Sequence, residues 1–143
     1  MAKGQTYNHE RIRRTDPVTG LEMLQLTSFT TMSEHFTYSG RSMTGGFTAD
    51  SDTIVFRSMR DGGRDAPWDI FRVDVDGANL TQLTERDDIG GDVVSGGDQT
   101  IHYMEHGTLF SMNIDTFVEE EVAHIDIGVG EWGGAVRRGE AYL

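Results

Sequence analysis

"DIFRVDVDGANLTQLT", residues 69–84, carries an aspartate pair, Asp74 and Asp76, close to Gly77 and Asn79. Such a cluster reads either as a cation loop or as the turn of a hairpin. An EF-hand-like calcium loop needs more oxygen ligands than this and closes on a glutamate. The residues before the turn alternate instead: Ile70, Arg72 and Asp74 face one way, Phe71, Val73 and Val75 the other, which is the period of a strand. Asp, Asn and Gly tolerate the positive φ that tight turns require. The stretch is expected to be two strands and a hairpin, a scaffold rather than a centre of chemistry.

Similar passages recur along the chain. "TGLEMLQLT" (residues 19–27) aligns with "DGANLTQLT" (76–84), placing Gly20 over Gly77, Gln25 over Gln82 and Leu26 over Leu83. "FTADSDTIVF" (47–56) aligns with "VSGGDQTIHY" (94–103), and "DIFRVDVDG" (69–77) with "TLFSMNIDT" (108–116). A unit of ~40 to 45 residues built of four short strands is the signature of a propeller blade.

The expected fold is therefore all-β, a β-propeller of four-stranded antiparallel blades, of which about two and a half are present. Residues 1–41 form an N-terminal segment whose "TDPVTGLEMLQLT" is read as a ring-closing outer strand with no inner strands before it. Residues 42–84 make the first blade, 85–125 the second, and 126–143 the start of a third. Blades hide one apolar face against each neighbour, so this number leaves faces uncovered at both ends. The chain is expected to be the N-terminal part of a longer protein, or to self-associate through exposed blade faces.

Composition agrees with short strands and tight turns: 143 residues, 36% hydrophobic, 18 glycines and two prolines. Twelve Lys plus Arg against 24 Asp plus Glu give a net charge of −12, which repels nucleic acid and anionic membranes. Without cysteine there is no disulfide framework, the first residues lack the apolar run of a signal peptide, and no stretch suits a membrane span. The expected compartment is the cytoplasm.

The Asp-rich turns and "VDVDGANLTQLT" resemble the blades of TolB-type propellers. More narrowly, the "MAKG" start, "TDPVTGLEMLQLT" and the His-bearing "SEHFTYSGRSMTGGFTADSDTIVF" resemble the oligogalacturonate lyases. That resemblance implies a seven-bladed, intracellular propeller that cleaves unsaturated oligogalacturonides by β-elimination in pectin degradation. It also implies a manganese ion, held by histidines and a glutamine from later blades that this chain does not contain. The metal would neutralise the substrate carboxylate and acidify the neighbouring proton, which a basic side chain removes. The family pattern implies an Arg beside the first-blade His, whereas Phe36 follows His35 here. The alternative is a TolB-like propeller that only binds a protein or small ligand, with no chemistry of its own.

His35 is expected just before the first inner strand, either as a hydrogen-bonded loop residue or as a substrate contact on the channel side. Arg41, Arg57, Arg60 and Arg64 gather positive charge in the first blade, which suits an anionic sugar acid but also solvated pairing with Asp61 and Asp65. The substrate-binding candidates are His35, Arg41 and Arg57. Trp68 and Trp132 fit packing between blades better than stacking on a sugar. Residues 119–121, three glutamates, read as a solvated edge strand. "HYMEH" (102–106) matches a zinc-protease pattern in letters, but that pattern works only on a helix and these residues alternate as a strand. No catalytic residue and no metal ligand is assigned within the chain.

Overall fold

A computed structural model describes residues 2–7, 10–35, 46–60, 66–86, 89–97, 99–124, 136–137 and 140–141. Among them all regular structure is strand: β1 (Thr6–Tyr7), β2 (Ile12–Thr15), β3 (Glu22–Gln25), β4 (Ser33–His35), β5 (Thr53–Ser58), β6 (Asp69–Asp74), β7 (Leu80–Gln82), β8 (Gly90–Gly97), β9 (Thr100–Glu105), β10 (Thr108–Asn113), β11 (Glu119–His124), β12 (Val136–Arg137) and β13 (Glu140–Ala141). The pairing is antiparallel throughout and gives one sheet in the order β1-β7-β6-β5-β4, one in the order β11-β10-β9-β8, and two hairpins, β2-β3 and β12-β13. Two stacked meanders of short strands are the repeating layer of a propeller.

The opening stretch folds as a hairpin. Gly77 N donates to Asp74 O at 2.8 Å and Asp74 N to Ala78 O at 3.0 Å, while the Asp76 carboxylate accepts from Ala78 N at 2.8 Å. Asn79 Nδ2 donates to the Asp74 carboxylate at 2.7 Å, so both aspartates serve the turn. Gly77 has φ 79° and Asn79 φ 51°, the left-handed conformation anticipated for these residue types.

In the N-terminal passage Glu22–Gln25 pairs with Ile12–Thr15 as a two-stranded hairpin, a partner strand that the sequence reading did not include. Its register copies β6-β7: Ile12 lies opposite Gln25 as Phe71 lies opposite Gln82. The side chain of Gln25 donates to Thr27 O at 2.8 Å, and Gln82 donates to Thr84 O at 2.7 Å. The Glu10 carboxylate accepts from Phe29 N at 3.3 Å, as Asp69 accepts from Arg86 N at 3.0 Å. β2 and β3 are thus the two outer strands of a blade.

The first sheet also draws in residues upstream of 42. Ser33–His35 is its inner strand, pairing with β5, so His35 ends a strand rather than preceding one. Thr6–Tyr7 adds a fifth strand at the outer edge, where Gly4 N donates to Gln82 O at 2.8 Å and Gln82 N to Gln5 O at 3.0 Å. That addition covers backbone groups which an edge strand otherwise leaves open.

Alternation sends the two faces of the first sheet into different cores. Val55, Ile70 and Leu83 pack with Ile101, Tyr103, Met112 and Ile114 of the second sheet. Phe56, Phe71, Val73 and Leu80 point the other way, toward Tyr7 and Leu26 of the N-terminal segment. One cross-strand aromatic pair recurs: Phe56 stacks on Phe71 at 5.8 Å between centroids, and Tyr103 on Phe110 at 5.5 Å. The first sheet is held from both sides, by the second sheet and by the half-blade β2-β3.

Gly77 marks one contact of that second interface, since a Cβ there would stand 2.8 Å from Arg11 Cβ. Gly20, its counterpart in the N-terminal hairpin, has φ 72° and open space around it. Gly20→Ala should cost about 1 kcal/mol for the left-handed backbone, and Gly77→Ala more, about 2–3 kcal/mol, because Arg11 must also move. Chemical denaturation of both variants measures the difference; equal losses would refute the close approach.

Candidate functional site

The candidate site lies on the inner half of the first sheet, where propeller ligands bind when they enter the channel. β4 is the innermost strand and places Glu34 opposite Arg57 and His35 opposite Phe56. Arg57 donates to one oxygen of Glu34 through Nε at 3.1 Å and through Nη2 at 2.7 Å. Its guanidinium carbon sits 4.7 Å from the Trp68 ring centroid. Arg57 is part-exposed, 30% by its side chain, so a ligand carboxylate can reach it only in competition with Glu34. Of the expected contacts, the backbone brings His35 and Arg57 into neighbouring strands. Arg41 lies outside the described residues, as do Asp61, Arg64, Asp65 and Trp132.

Arg60 is not solvated as expected. Its side chain is 2% exposed, and both terminal nitrogens bind the Glu10 carboxylate, Nη2 at 2.8 Å to Oε2. The guanidinium also faces the rings of Tyr7, Phe29 and Phe71 at 5.8, 5.4 and 5.1 Å. Burial alone would raise the Glu10 carboxyl, but Arg60 and the Ser28 and Phe29 amides outweigh it and hold Glu10 below the ordinary carboxylate value. This pair fastens the half-blade to the first sheet and is closed to a ligand.

A second cluster fastens the two sheets to each other. Arg86 binds Glu105 at 2.6 Å and also Glu119, and stacks over Phe110 at 4.4 Å. Glu119 further accepts from the Tyr103 hydroxyl and from Lys3 Nζ at 3.3 Å. Burial pushes Glu119 up, and Tyr103, Arg86 and Lys3 together bring it below its usual range. Burial and the Glu119 carboxylate push the Tyr103 hydroxyl far up, so it donates at any physiological pH. Glu119 is thereby a structural anchor rather than part of a solvated edge; of the three glutamates only Glu120 and Glu121 are exposed. Both clusters join residues that are far apart along the chain, so no local pattern announces them.

"HYMEH" forms no protease site. Residues 100–105 are strand and His106 turns with φ 47°, so His102 and His106 do not share a helical face. His102 takes the place that Val55 has in the first sheet; burial alone lowers its pKa, and its Nδ1 has no hydrogen-bond partner. Among the described residues no group of three His, Asp or Glu converges as a metal site would need. The described part of this chain does not fit manganese ligation.

Stacked antiparallel sheets of this design define a section of a propeller. No sequence-family profile matches the chain. It is 27% identical over 138 residues to the oligogalacturonate lyase of Dickeya dadantii (strain 3937), a match covering 92% of this chain and 34% of that protein. A solved oligogalacturonate lyase in complex with manganese superposes with a TM-score of 0.67 at 27% identity, covering 96% of this chain and 34% of the other. A second, from Vibrio parahaemolyticus, gives a TM-score of 0.66 at 21% identity over 94% of this chain and 33% of its own. The chain is all-β with the propeller fold of the oligogalacturonate lyases, and it spans about a third of the length of these relatives. No helix among the described residues is long and apolar enough to cross a membrane.

Two outcomes test this electrostatic account. Arg60→Met strands a part-buried carboxylate and should cost about 1–3 kcal/mol, while the double variant Arg60→Met/Glu10→Gln should lose less than the sum of the singles; strict additivity would contradict the pairing. Glu10, Glu119 and His102 all have lowered folded pKa values, so the unfolded chain binds protons first and stability falls as pH falls. Denaturation midpoints should begin to drop below about 6.5 through His102 and drop again below about 4.5 through the carboxylates. His102→Gln should remove the first step alone.

Proposed function

We propose that this chain is one section of an oligogalacturonate-lyase-like propeller acting in pectin degradation. The observation that supports this best is the likeness to oligogalacturonate lyases over 92% of the chain in sequence and 96% in fold. In this reading the substrate is an unsaturated oligogalacturonide, and the reaction is β-elimination. The proton on the carbon beside the uronate carboxylate is removed, the neighbouring carbon–oxygen bond of the glycosidic link breaks, and a carbon–carbon double bond forms between the two carbons.

The contribution of these residues is to bind and orient. His35 and Arg57 supply contacts from the inner half of the first blade, with Arg57 exchanging part of its bond to Glu34 for a substrate carboxylate, and Arg41 is the third candidate contact by its place in the sequence. The metal and the proton-removing base belong to blades beyond these residues, in a seven-bladed cytoplasmic protein. Nucleic acid and anionic membranes are not partners in this reading, since a net charge of −12 repels both.

The test is turnover of unsaturated digalacturonate by the complete protein encoded around these residues, with and without manganese. Manganese-dependent cleavage of the dimer to monomeric uronates is expected, and Arg57→Ala should raise KM about tenfold or more while leaving the fold intact. Binding of oligogalacturonide without any turnover would favour the non-catalytic TolB-like module instead. The 143-residue chain by itself should show no lyase activity; turnover by it would contradict this division of labour.

A further inference from the structure

Arg57 has a companion whose hydrogen-bonding capacity is only half used. The arginine lies two residues beyond Val55, so it stands on the face of the first sheet that packs against the second, with Glu34 opposite it in β4. Both of its bonds to Glu34, from Nε at 3.1 Å and from Nη2 at 2.7 Å, end on the same oxygen, Oε2. Among the described residues Glu34 Oε1 accepts no hydrogen bond and Arg57 Nη1 donates none. The side chains of Arg57 and Glu34 are 30% and 37% exposed, and neither of these two atoms is enclosed. Trp68, its ring centroid 4.7 Å from the guanidinium carbon, supports the fork from one side.

An open donor and an open acceptor therefore stand side by side. An arginine alone binds any anion that reaches it. Glu34 changes that, because a carboxylate spanning Nη1 and Nη2 draws Nη2 away from Glu34 and brings two negative groups to one guanidinium. The exchange is unfavourable unless the ligand gives Glu34 something in return, and an ionised carboxylate accepts hydrogen bonds only. A uronate carries suitable donors in its ring hydroxyls; a simple carboxylate has none.

We propose that Glu34 determines the specificity of this contact: it accepts a sugar hydroxyl on Oε1 while Arg57 binds the carboxylate of the same ligand. The pair then reads a hydroxylated acid and turns away anions that lack a hydroxyl. A site built to hydrogen-bond a ligand hydroxyl discriminates against the analogue without it, because its own polar groups are left unpaired. This role rests on the reading of Arg57 as a substrate contact and adds the residue that chooses among anions. Nothing in the local sequence announces it, since Glu34 meets Arg57 only through the pairing of β4 with β5.

The test compares galacturonate with propionate, which offers the carboxylate without the hydroxyls, by calorimetric titration of the complete protein encoded around these residues. Circular dichroism checks the fold of each variant. Arg57→Ala marks the binding that belongs to this site and should weaken galacturonate about tenfold or more. Glu34→Ala frees Arg57 but removes the hydroxyl acceptor: propionate should bind about fivefold tighter, galacturonate should gain nothing, and the preference for the sugar acid should fall by the same factor. Glu34→Gln keeps an oxygen in place and should retain most of that preference. Equal tightening of both acids in Glu34→Ala makes Glu34 a countercharge only and overturns the proposal, as does a preference that neither Glu34 variant changes while Arg57→Ala still weakens binding. Should Arg57→Ala leave both acids unaffected, the reading of Arg57 as a contact fails, and the role of Glu34 with it.

Discussion

A propeller blade is a thin, twisted sheet with apolar residues on both faces, and neither face can be left to water without cost. The first sheet shows how the sequence meets that demand. Strand alternation sends Val55 and Ile70 to one side and Phe56, Phe71 and Val73 to the other. Each of these side chains contributes about 1.5–3 kcal/mol when buried, so stacking dominates over any single polar contact. Everything else, the turns, the ion pairs and the candidate ligand contacts, is placed by this stacking.

The polar contacts then set which sheet meets which. Arg60 on Glu10 joins the half-blade to the first sheet, and Arg86 on Glu105 and Glu119 joins the first sheet to the second. Both arginines lie beside aromatic rings, which shield them from water and make their partners costly to remove. A carboxylate repeated in the half-blade and the first sheet, Glu10 just before β2 and Asp69 at the start of β6, ties down the chain just past the outer strand. By contrast Arg57 is part-exposed on the inner side, with Glu34 as its acidic partner among the described residues, whereas the Arg60 side chain is enclosed.

Much of this was legible in the residues. Gly20 over Gly77 and Gln25 over Gln82 marked the repeat, and the structure repeats the turn and the Gln–Thr contact at those positions. The Asp74–Asn79 turn followed from which residues accept positive φ. What the sequence conceals has physical reasons. Thr6–Tyr7 is two residues long and has no periodicity to detect, although it completes a sheet edge. Ile12–Thr15, "IRRT", carries one apolar residue and so lacks the alternation that marks a strand, and its pairing with Glu22–Gln25 was not apparent. The Glu10–Arg60 pair spans 50 positions and exists only once the sheets have stacked.

The central claim is that the two sheets share one core, formed by Val55, Ile70 and Leu83 with Ile101, Tyr103, Met112 and Ile114. Native-state hydrogen exchange at the amides of β6 and β9 tests it most directly. A shared core makes the two strands open together, with the same free energy and the same denaturant dependence. Exchange of β9 through a separate, lower-energy opening while β6 stays protected would contradict it.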